Sequence, residues 1–203
     1  RYWRSRTLNS LELSPTRDHS ILDVATGTGA LAIAAARKFP NCKVTGVDIS
    51  TGMLVKGKEL VRLASMQHRI PMSHDHAEAL PFADDVFDAV CIAFGVRNFE
   101  NLQSGISEMR RVLKPGGKIA ILEFSKPRHF PVKHLFQFYF KNLLPVIGKS
   151  ISRDPRAYSY LFESVQHFPD YERFTAIMSE LGFSKCTFTP LTFGICTIYT
   201  GIK

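Results

Sequence analysis

Apolar runs alternate with amphipathic or alanine-rich segments along the first 125 residues of this chain. The runs predict buried strands at residues 21–25, 42–47, 72–74, 87–93 and 118–124. The intervening segments predict helices at 30–38, 51–64 and 102–113, the last stopped by the string KPGG at 114–117. Strands that alternate with helices at this spacing predict an α/β fold, a mostly parallel sheet with helices on both faces.

The pattern changes after Ser125. Residues 127–170 are rich in aromatic side chains, and we interpret them as a mostly helical insertion. A further helix is predicted at 171–181, with Gly182 at its C-cap position. Residues 185–203 alternate polar and apolar side chains, which predicts a terminal β-hairpin. The whole chain, 1–203, is therefore expected to form one domain that carries the insertion.

Composition and charge narrow the class of protein. The net charge is +8, from 26 Lys and Arg against 18 Asp and Glu. These basic residues are scattered and no RNA-binding motif is present, so we expect no nucleic-acid partner. Attraction to an anionic membrane surface and a merely basic surface both remain open. Four cysteines without a CxxC pair predict free thiols in a reducing cytoplasm and no metal site.

A glycine-rich turn joins the first predicted strand to the first predicted helix. Gly27 and Gly29 lie in the string TGTG, where a missing Cβ lets the backbone approach a ligand closely. Asp48 ends the second strand, 19 residues after Gly29. A carboxylate in that position accepts two hydrogen bonds from a ribose diol. The unit therefore predicts a site for an adenosine-containing ligand.

Three interpretations of this turn are open. A dinucleotide needs G-x-G-x-x-G with its pyrophosphate on the helix N-terminus, and Ala32 stands at the third glycine position, which that fingerprint tolerates. Asp23 would repel a pyrophosphate, but its carboxylate suits the sulfonium and ammonium groups of S-adenosylmethionine, the ligand that we favour. The third interpretation is a turn that binds no nucleotide.

Two further segments fit the methyl donor. The string HDHAEALPF at 74–82 would place His76 and Ala77 beside the adenine, although His76 also fits an exposed loop histidine. The string AFGVRN, from Ala93 to Asn98, follows the fourth strand, where a methyl donor meets its acceptor.

Several strings resemble those of the ubiquinone/menaquinone biosynthesis C-methyltransferases. RVLKPGGKIAILEFS at 111–125 is similar to the second signature of that family, and AEALPF, AFGVRN, SYLFESVQHFP and LTFGI resemble further blocks. The resemblance covers nearly the whole chain. It implies the class I methyltransferase fold, a Rossmann-like seven-stranded sheet whose last strand is antiparallel. The implied reaction is transfer of a methyl group from S-adenosylmethionine to a ring carbon of a prenylated quinol.

The resemblance also implies donor-binding positions and some departures from them. The residues at these positions are Thr28, Asp48, His76, Ala77 and Ala93. Family members often have an acidic residue at Ala30, Asn or Asp at His76 and Ser at Ala93, so adenine recognition here should depend more on backbone groups. Relatives usually begin with the block YDxMNxxxSxGxHxxW, and this chain opens within its last residues, so we expect a segment before Arg1.

The acceptor chemistry predicts three catalytic candidates. A quinol ring carbon becomes nucleophilic when a ring hydroxyl loses its proton, so a base or a cation that stabilises the phenolate should help. Arg97 is placed to polarise that oxygen directly or through water, or else to form a structural salt bridge. Asn98 would orient the acceptor, and Glu123, at the end of the next strand, would support Arg97 or the substrate.

The strings FYFKNLLPVIG and PLTFGICTIYTG look more like menaquinone-type members, so demethylmenaquinol is the favoured acceptor. A benzoquinol of the ubiquinone pathway, another lipid or small molecule, and a non-catalytic quinone-binding subunit are the alternatives. We expect a cytoplasmic protein at the inner face of the membrane, with a homodimer as one arrangement. An apolar channel for the prenyl tail, membrane contact or core packing would each explain Phe136, Phe138, Tyr139, Phe140, Leu143 and Leu144.

Overall fold

The computed structural model describes residues 1–138 and 156–203. Within them one seven-stranded sheet has the strand order β3-β2-β1-β4-β5-β7-β6. The strands are β1 Ser20–Val24, β2 Lys43–Asp48, β3 Met72–His74, β4 Phe87–Ala93, β5 Leu113–Phe124, β6 Ser184–Leu191 and β7 Cys196–Ile202. Pairs among β1 to β5 are parallel, whereas β7 is antiparallel to β5 and β6. The predicted α/β class and the antiparallel terminal hairpin are confirmed.

Helices connect these strands. They are α1 Tyr2–Ser10, α2 Ala30–Lys38, α3 Thr51–Leu63, α4 Leu102–Val112, α5 Val132–Phe138, α6 Arg156–His167 and α7 Glu172–Glu180. Helices α5 and α6 lie in the predicted insertion, of which Tyr139, Phe140, Leu143 and Leu144 fall outside the described residues. No helix in the described part of the chain has both the length and the apolar character to cross a membrane.

Both faces of the sheet are buried because successive strand residues point to opposite sides. In β4, Val90 and Ile92 join one core cluster while Ala89 and Cys91 join the other. Helices α4 and α7 cover the first face, and α1, α2 and α3 cover the second. Each fully buried aliphatic side chain stabilises the fold by about 1.5–3 kcal/mol. All four cysteines are free thiols.

The sequence predicts that the KPGG string only ends a helix, whereas the structure places the string inside a strand. Helix α4 ends at Val112, and Leu113 already pairs with Phe87 as the first residue of β5. The string lies inside β5, where the register against β4 shifts. Gly116 has a φ of +77°, a backbone conformation that residues with a Cβ rarely adopt. The prediction missed the strand start because an irregular strand lacks strict alternation.

The carboxyl ends of the parallel strands meet at one edge of the sheet. The glycine-rich turn follows β1 there, Asp48 ends β2 and Ala93 ends β4. The loop between β6 and β7 reaches the same edge, because Cys196 at the start of β7 pairs with Phe124 at the end of β5. Ligands of open α/β sheets bind at this edge.

Candidate active site

A cavity of about 550 Å³ opens at this edge. It brings together eight of the residues predicted from sequence, namely Asp23, Gly27, Thr28, Asp48, His76, Ala77, Ala93 and Asn98. Three others, Gly29, Arg97 and Glu123, are not part of its lining. The remaining lining residues include Arg4 of α1, Met53 of α3 and the segment after β4 that contains Phe94.

The glycine-rich turn is tied to the end of β2. The backbone N–H of Gly27 donates to Asp48 Oδ2 at 2.7 Å, and that of Ser50 donates to Asp48 Oδ1 at 2.8 Å. Gly27 and Gly29 have φ values of +56° and +74°, so glycine is the residue that adopts this turn without strain. Asp48 thereby fixes the loop that borders the cavity.

Asp48 retains capacity for a ligand. Each oxygen of an ionised carboxylate has two lone-pair sites, and each oxygen of Asp48 uses one of them for a backbone N–H. The residue is 9% exposed and lines the cavity. One acceptor site on each oxygen is therefore left for the two hydroxyls of a ribose.

The carboxyl group of Asp23 stabilises the glycine-rich turn through hydrogen bonds. Its Oδ2 accepts from Thr26 Oγ1 at 2.6 Å and from the backbone N–H of Ala32 at 3.0 Å. Burial raises the pKa of the Asp23 carboxyl to about 7, although both hydrogen bonds favour the charged form. A cation in the cavity would stabilise the ionised carboxylate.

The lining of the cavity is acidic in a basic protein. Among the described residues that form it, the carboxyl side chains are Asp23, Asp48, Asp75, Glu78 and Glu100. Arg4 is the one Lys or Arg among them, whereas the whole chain carries +8. Such a lining attracts cationic ligands and repels a pyrophosphate. Within residues 1–138 and 156–203, no group of His, Cys, Asp and Glu could hold a metal ion.

The segment that follows β3 forms another wall of the cavity. The N–H of Asp75 donates to the Asp48 carbonyl oxygen at 3.2 Å, which ties this segment to the end of β2. Ala77 is half-buried, whereas His76 is exposed and still lines the cavity. His76 is thus a loop histidine that borders the site, so both sequence interpretations describe its position.

The segment that follows β4 is held by a buried ion pair. Arg97 Nη1 donates to Glu123 Oε1 and to the Phe94 carbonyl oxygen, both at 2.7 Å. The Arg97 side chain is 11% exposed and that of Glu123 is fully buried. Burial raises the pKa of the Glu123 carboxyl, and the charge of Arg97 opposes that shift. The salt bridge considered from sequence is therefore present.

Two side chains of this segment have hydrogen-bond donors that the described residues do not use. The buried Nε of Arg97 has no hydrogen-bond partner among the described residues. Asn98 lines the cavity, and its Oδ1 accepts from the Tyr160 hydroxyl at 3.1 Å. That bond directs the amide nitrogen of Asn98 away from Tyr160, where it can donate to another group.

The family model that matches this chain is that of the ubiE/COQ5 methyltransferase family, and it matches residues 1–203. The chain belongs to this family. This is a family of methyltransferases, and the acidic cavity described above suits a cationic methyl donor. The chain is therefore a methyltransferase whose donor is S-adenosylmethionine.

Individual relatives are similar to this chain over the chain's full length. A demethylmenaquinone methyltransferase of Bacteroides fragilis is 45% identical over 203 residues, which are 100% of this chain and 82% of that protein. A ubiquinone/menaquinone biosynthesis C-methyltransferase UbiE of Geotalea daltonii is 46% identical over 204 residues, 100% of this chain and 86% of that protein. The first of these relatives of the ubiE/COQ5 member is named for its quinone substrate, and the second is named as a C-methyltransferase of quinone biosynthesis.

A solved structure supports the fold. The crystal structure of a SAM dependent methyltransferase from Aquifex aeolicus has a TM-score of 0.70 with this chain at 16% identity. The alignment covers 98% of this chain and 88% of the other. The ubiE/COQ5 member therefore has the class I methyltransferase fold that its strings imply.

The cavity of this ubiE/COQ5 member fits S-adenosylmethionine on its own residues. Asp48 offers two acceptor sites for the ribose, and Gly27 and Met53 line the cavity beside it. The five carboxyl side chains suit the sulfonium and ammonium charges of the donor.

The sequence did not identify Gly57 and Tyr160 as residues that shape the site. Gly57 lies in the middle of α3, and a Cβ there would lie 2.9 Å from the carbonyl oxygen of Gly27 and 2.7 Å from Met72 Cε. A glycine inside a helix costs about 1 kcal/mol relative to alanine, so its presence was a signal of close packing. Tyr160 gave no comparable signal, because its partner Asn98 is 62 residues away.

Gly57→Ala is expected to lower the free energy of unfolding by about 1–3 kcal/mol, because an overpacked methyl group must displace the glycine-rich turn. The Kd for S-adenosylmethionine should rise as well. Gly52→Ala in the same helix is the matched control, since nothing lies within 4 Å of its added Cβ. Urea unfolding and calorimetric titration measure both effects, and equal behaviour of the two variants would contradict the close approach.

Proposed function

We propose that this methyltransferase transfers a methyl group from S-adenosylmethionine to a ring carbon of demethylmenaquinol, a prenylated naphthoquinol, in menaquinone biosynthesis. The observation that carries the proposal is the acidic cavity that meets an aromatic wall at Phe94, in a chain 45% identical over its length to a protein named demethylmenaquinone methyltransferase. The carboxyl groups suit the cationic donor, and the aromatic wall suits a planar ring.

Transfer to carbon requires an in-line arrangement and a nucleophilic ring. The donor supplies an electrophilic methyl group; one C–S bond breaks as one C–C bond forms, and the ring carbon then loses its hydrogen as a proton. We propose that Asp48, Gly27, Thr28, Asp23, His76, Ala77 and Ala93 hold the donor, with Gly29 shaping the turn. Their task is to keep the donor fixed while the acceptor approaches from the β4 side.

We propose that the acceptor ring lies against Phe94 and Asn98. The amide nitrogen of Asn98, oriented by Tyr160, would donate to a ring oxygen. The buried Nε of Arg97 lacks a partner among the described residues, so it is free to donate to a water that enters with the acceptor. Through that water Arg97 would stabilise the negative charge of the deprotonated ring oxygen. Glu123 holds Arg97 in place.

The test is methyl transfer from isotopically labelled S-adenosylmethionine to chemically reduced demethylmenaquinol, with mass spectrometry of the product. We expect one added methyl group on the ring, and no reaction with the oxidised quinone, which has no hydroxyl to deprotonate. Calorimetry with S-adenosylmethionine and with NADH accompanies the assay. Donor binding without transfer would contradict this acceptor, and absence of donor binding would favour the non-catalytic subunit.

A benzoquinol is the second candidate acceptor, because the relative from Geotalea daltonii is named for both quinone pathways. The ratio of kcat/KM values for the naphthoquinol and the benzoquinol with equal tails decides between them. A ratio well above one supports the menaquinone assignment, and a ratio below one reverses it.

We further propose that the protein works in the cytoplasm at the inner face of the membrane, where its lipid acceptor is. The exposed face of α3 supports this, since Val55 and Leu63 are 69% and 66% exposed and Lys56 and Arg62 accompany them. Co-sedimentation with anionic vesicles tests the contact. A homodimer through the same apolar side chains is the alternative arrangement, which sedimentation without lipid would detect.

A further inference from the structure

The loop between β6 and β7 has an unusual backbone. Thr192, Phe193 and Gly194 have φ values of +48°, +57° and +87° in succession. Positive φ is uncommon for residues other than glycine, and for the β-branched Thr192 it is a genuine outlier. Such conformations persist where surrounding contacts impose them, and they cluster at ligand sites.

Three side chains impose this conformation. The indole Nε1 of Trp3 donates to Thr192 Oγ1 at 2.7 Å. The Ser125 hydroxyl donates to the Gly194 carbonyl oxygen at 2.8 Å. The Tyr171 hydroxyl shares its one proton between the carbonyl oxygens of Lys126 at 2.9 Å and Gly194 at 3.2 Å. The contacts come from α1, from the end of β5 and from the start of α7, so the loop is held from three directions.

The result of this arrangement is an exposed phenyl ring. Phe193 is 79% exposed, and none of the three loop hydrogen bonds involves its ring. A strained loop that is fixed by three hydrogen bonds and presents an apolar ring to water is better explained by an apolar ligand than by packing.

The loop is continuous with the acceptor side of the cavity. Trp3, whose indole holds Thr192, packs against Phe94 with ring centroids 5.9 Å apart. Phe94 lines the cavity and has a positive φ of its own, +59°. Aromatic surface therefore extends from the cavity, over Phe94 and Trp3, to the loop that carries Phe193.

We infer that this aromatic strip, formed by Phe94, Trp3 and Phe193, binds the isoprenoid tail of the acceptor. The inference rests on the proposed function for the nature of the acceptor and adds the place where its tail leaves the cavity. An isoprenoid chain is apolar, has no hydrogen-bonding groups and is too long for the cavity that holds the ring, so it needs a continuous apolar surface outward. The strip differs from the route over the insertion, where Phe138 is the exposed aromatic residue of α5.

Trp3 provides a direct binding readout, because it is the one tryptophan of the chain. We would titrate the protein with farnesol, an isoprenoid alcohol without a quinone ring, and follow the Trp3 emission. A blue shift that saturates is expected, because the tail excludes water from the indole. Phe193→Ala should weaken this binding about tenfold. Val86→Ala, which shortens an exposed apolar side chain just before β4, at the edge of the sheet opposite the cavity, is the control and should bind as the wild type does.

Kinetics give the second readout. Phe193→Ala should lower kcat/KM about tenfold for prenylated demethylmenaquinol and change it less than twofold for the same naphthoquinol without a tail. An unshifted Trp3 emission, equal farnesol affinity in Phe193→Ala and the wild type, or an effect of Phe138→Ala in place of Phe193→Ala would each overturn the inference. If the wild type binds farnesol through Trp3 but methylates neither naphthoquinol, the isoprenoid site stands and the proposed acceptor fails.

Discussion

Asp48→Ala is expected to raise the Kd for S-adenosylmethionine by about 100-fold. The variant removes both acceptor sites that the carboxylate offers to the ribose, and each hydrogen bond to a charged group contributes about 1.5 kcal/mol. Two such bonds amount to about 3 kcal/mol, and about 1.4 kcal/mol corresponds to a factor of ten. The loss should be larger than this sum if the turn also moves, because Gly27 N–H would lose its partner. Isothermal titration calorimetry measures the change.

Asp18→Ala is the matched control for this measurement. Asp18 is an exposed carboxylate that precedes β1 and therefore lies at the edge of the sheet opposite the cavity. Removing it lowers the negative charge of the protein by the same amount without touching the site. A donor Kd for Asp48→Ala within threefold of the Asp18→Ala value would show that the ribose binds elsewhere.

The fold could be predicted from the sequence because each strand and each helix has a recognisable pattern within its own segment. Each buried strand appears as an apolar run, and the helices between them have their own periodicity, so the alternation alone implies a parallel sheet. The same holds for the donor side of the site. Gly27 can be recognised in the sequence because the turn needs a positive φ there, which favours glycine. Asp48 can be recognised because the strand end needs a carboxylate at that position.

The acceptor side was harder to predict because it depends on contacts between distant segments. The pair of Arg97 and Glu123 joins residues 26 apart, and the sequence left open whether it would be structural or chemical. The bond from Trp3 to Thr192 spans 189 residues, and no periodicity or motif indicates such a contact. Strain at Phe193 is likewise invisible in sequence, because nothing about a phenylalanine marks a positive φ.

Arg97→Ala is expected to lower the free energy of unfolding by about 3–5 kcal/mol, since it leaves the fully buried Glu123 without its charge partner. Turnover should fall much more than donor affinity, because we propose that the segment that Arg97 holds contacts the acceptor, whereas Asp48 binds the donor. Urea unfolding, calorimetry with S-adenosylmethionine and steady-state kinetics measure the three quantities separately. An unchanged free energy of unfolding would mean that Glu123 is accommodated without Arg97.

The double variant Arg97→Met/Glu123→Leu separates the two roles of the pair. Replacing both charges with apolar side chains of similar volume removes the unpaired carboxylate, so the variant should be more stable than Arg97→Ala. It should stay below the wild type, because the backbone N–H groups of Arg97 and Phe124 lose Glu123 as their acceptor. If turnover stays low in this more stable variant while donor affinity is normal, the guanidinium acts on the acceptor, as proposed through its unpartnered Nε. If turnover returns together with stability, the pair only positions the segment after β4, and Asn98 is left as the polar contact to the ring.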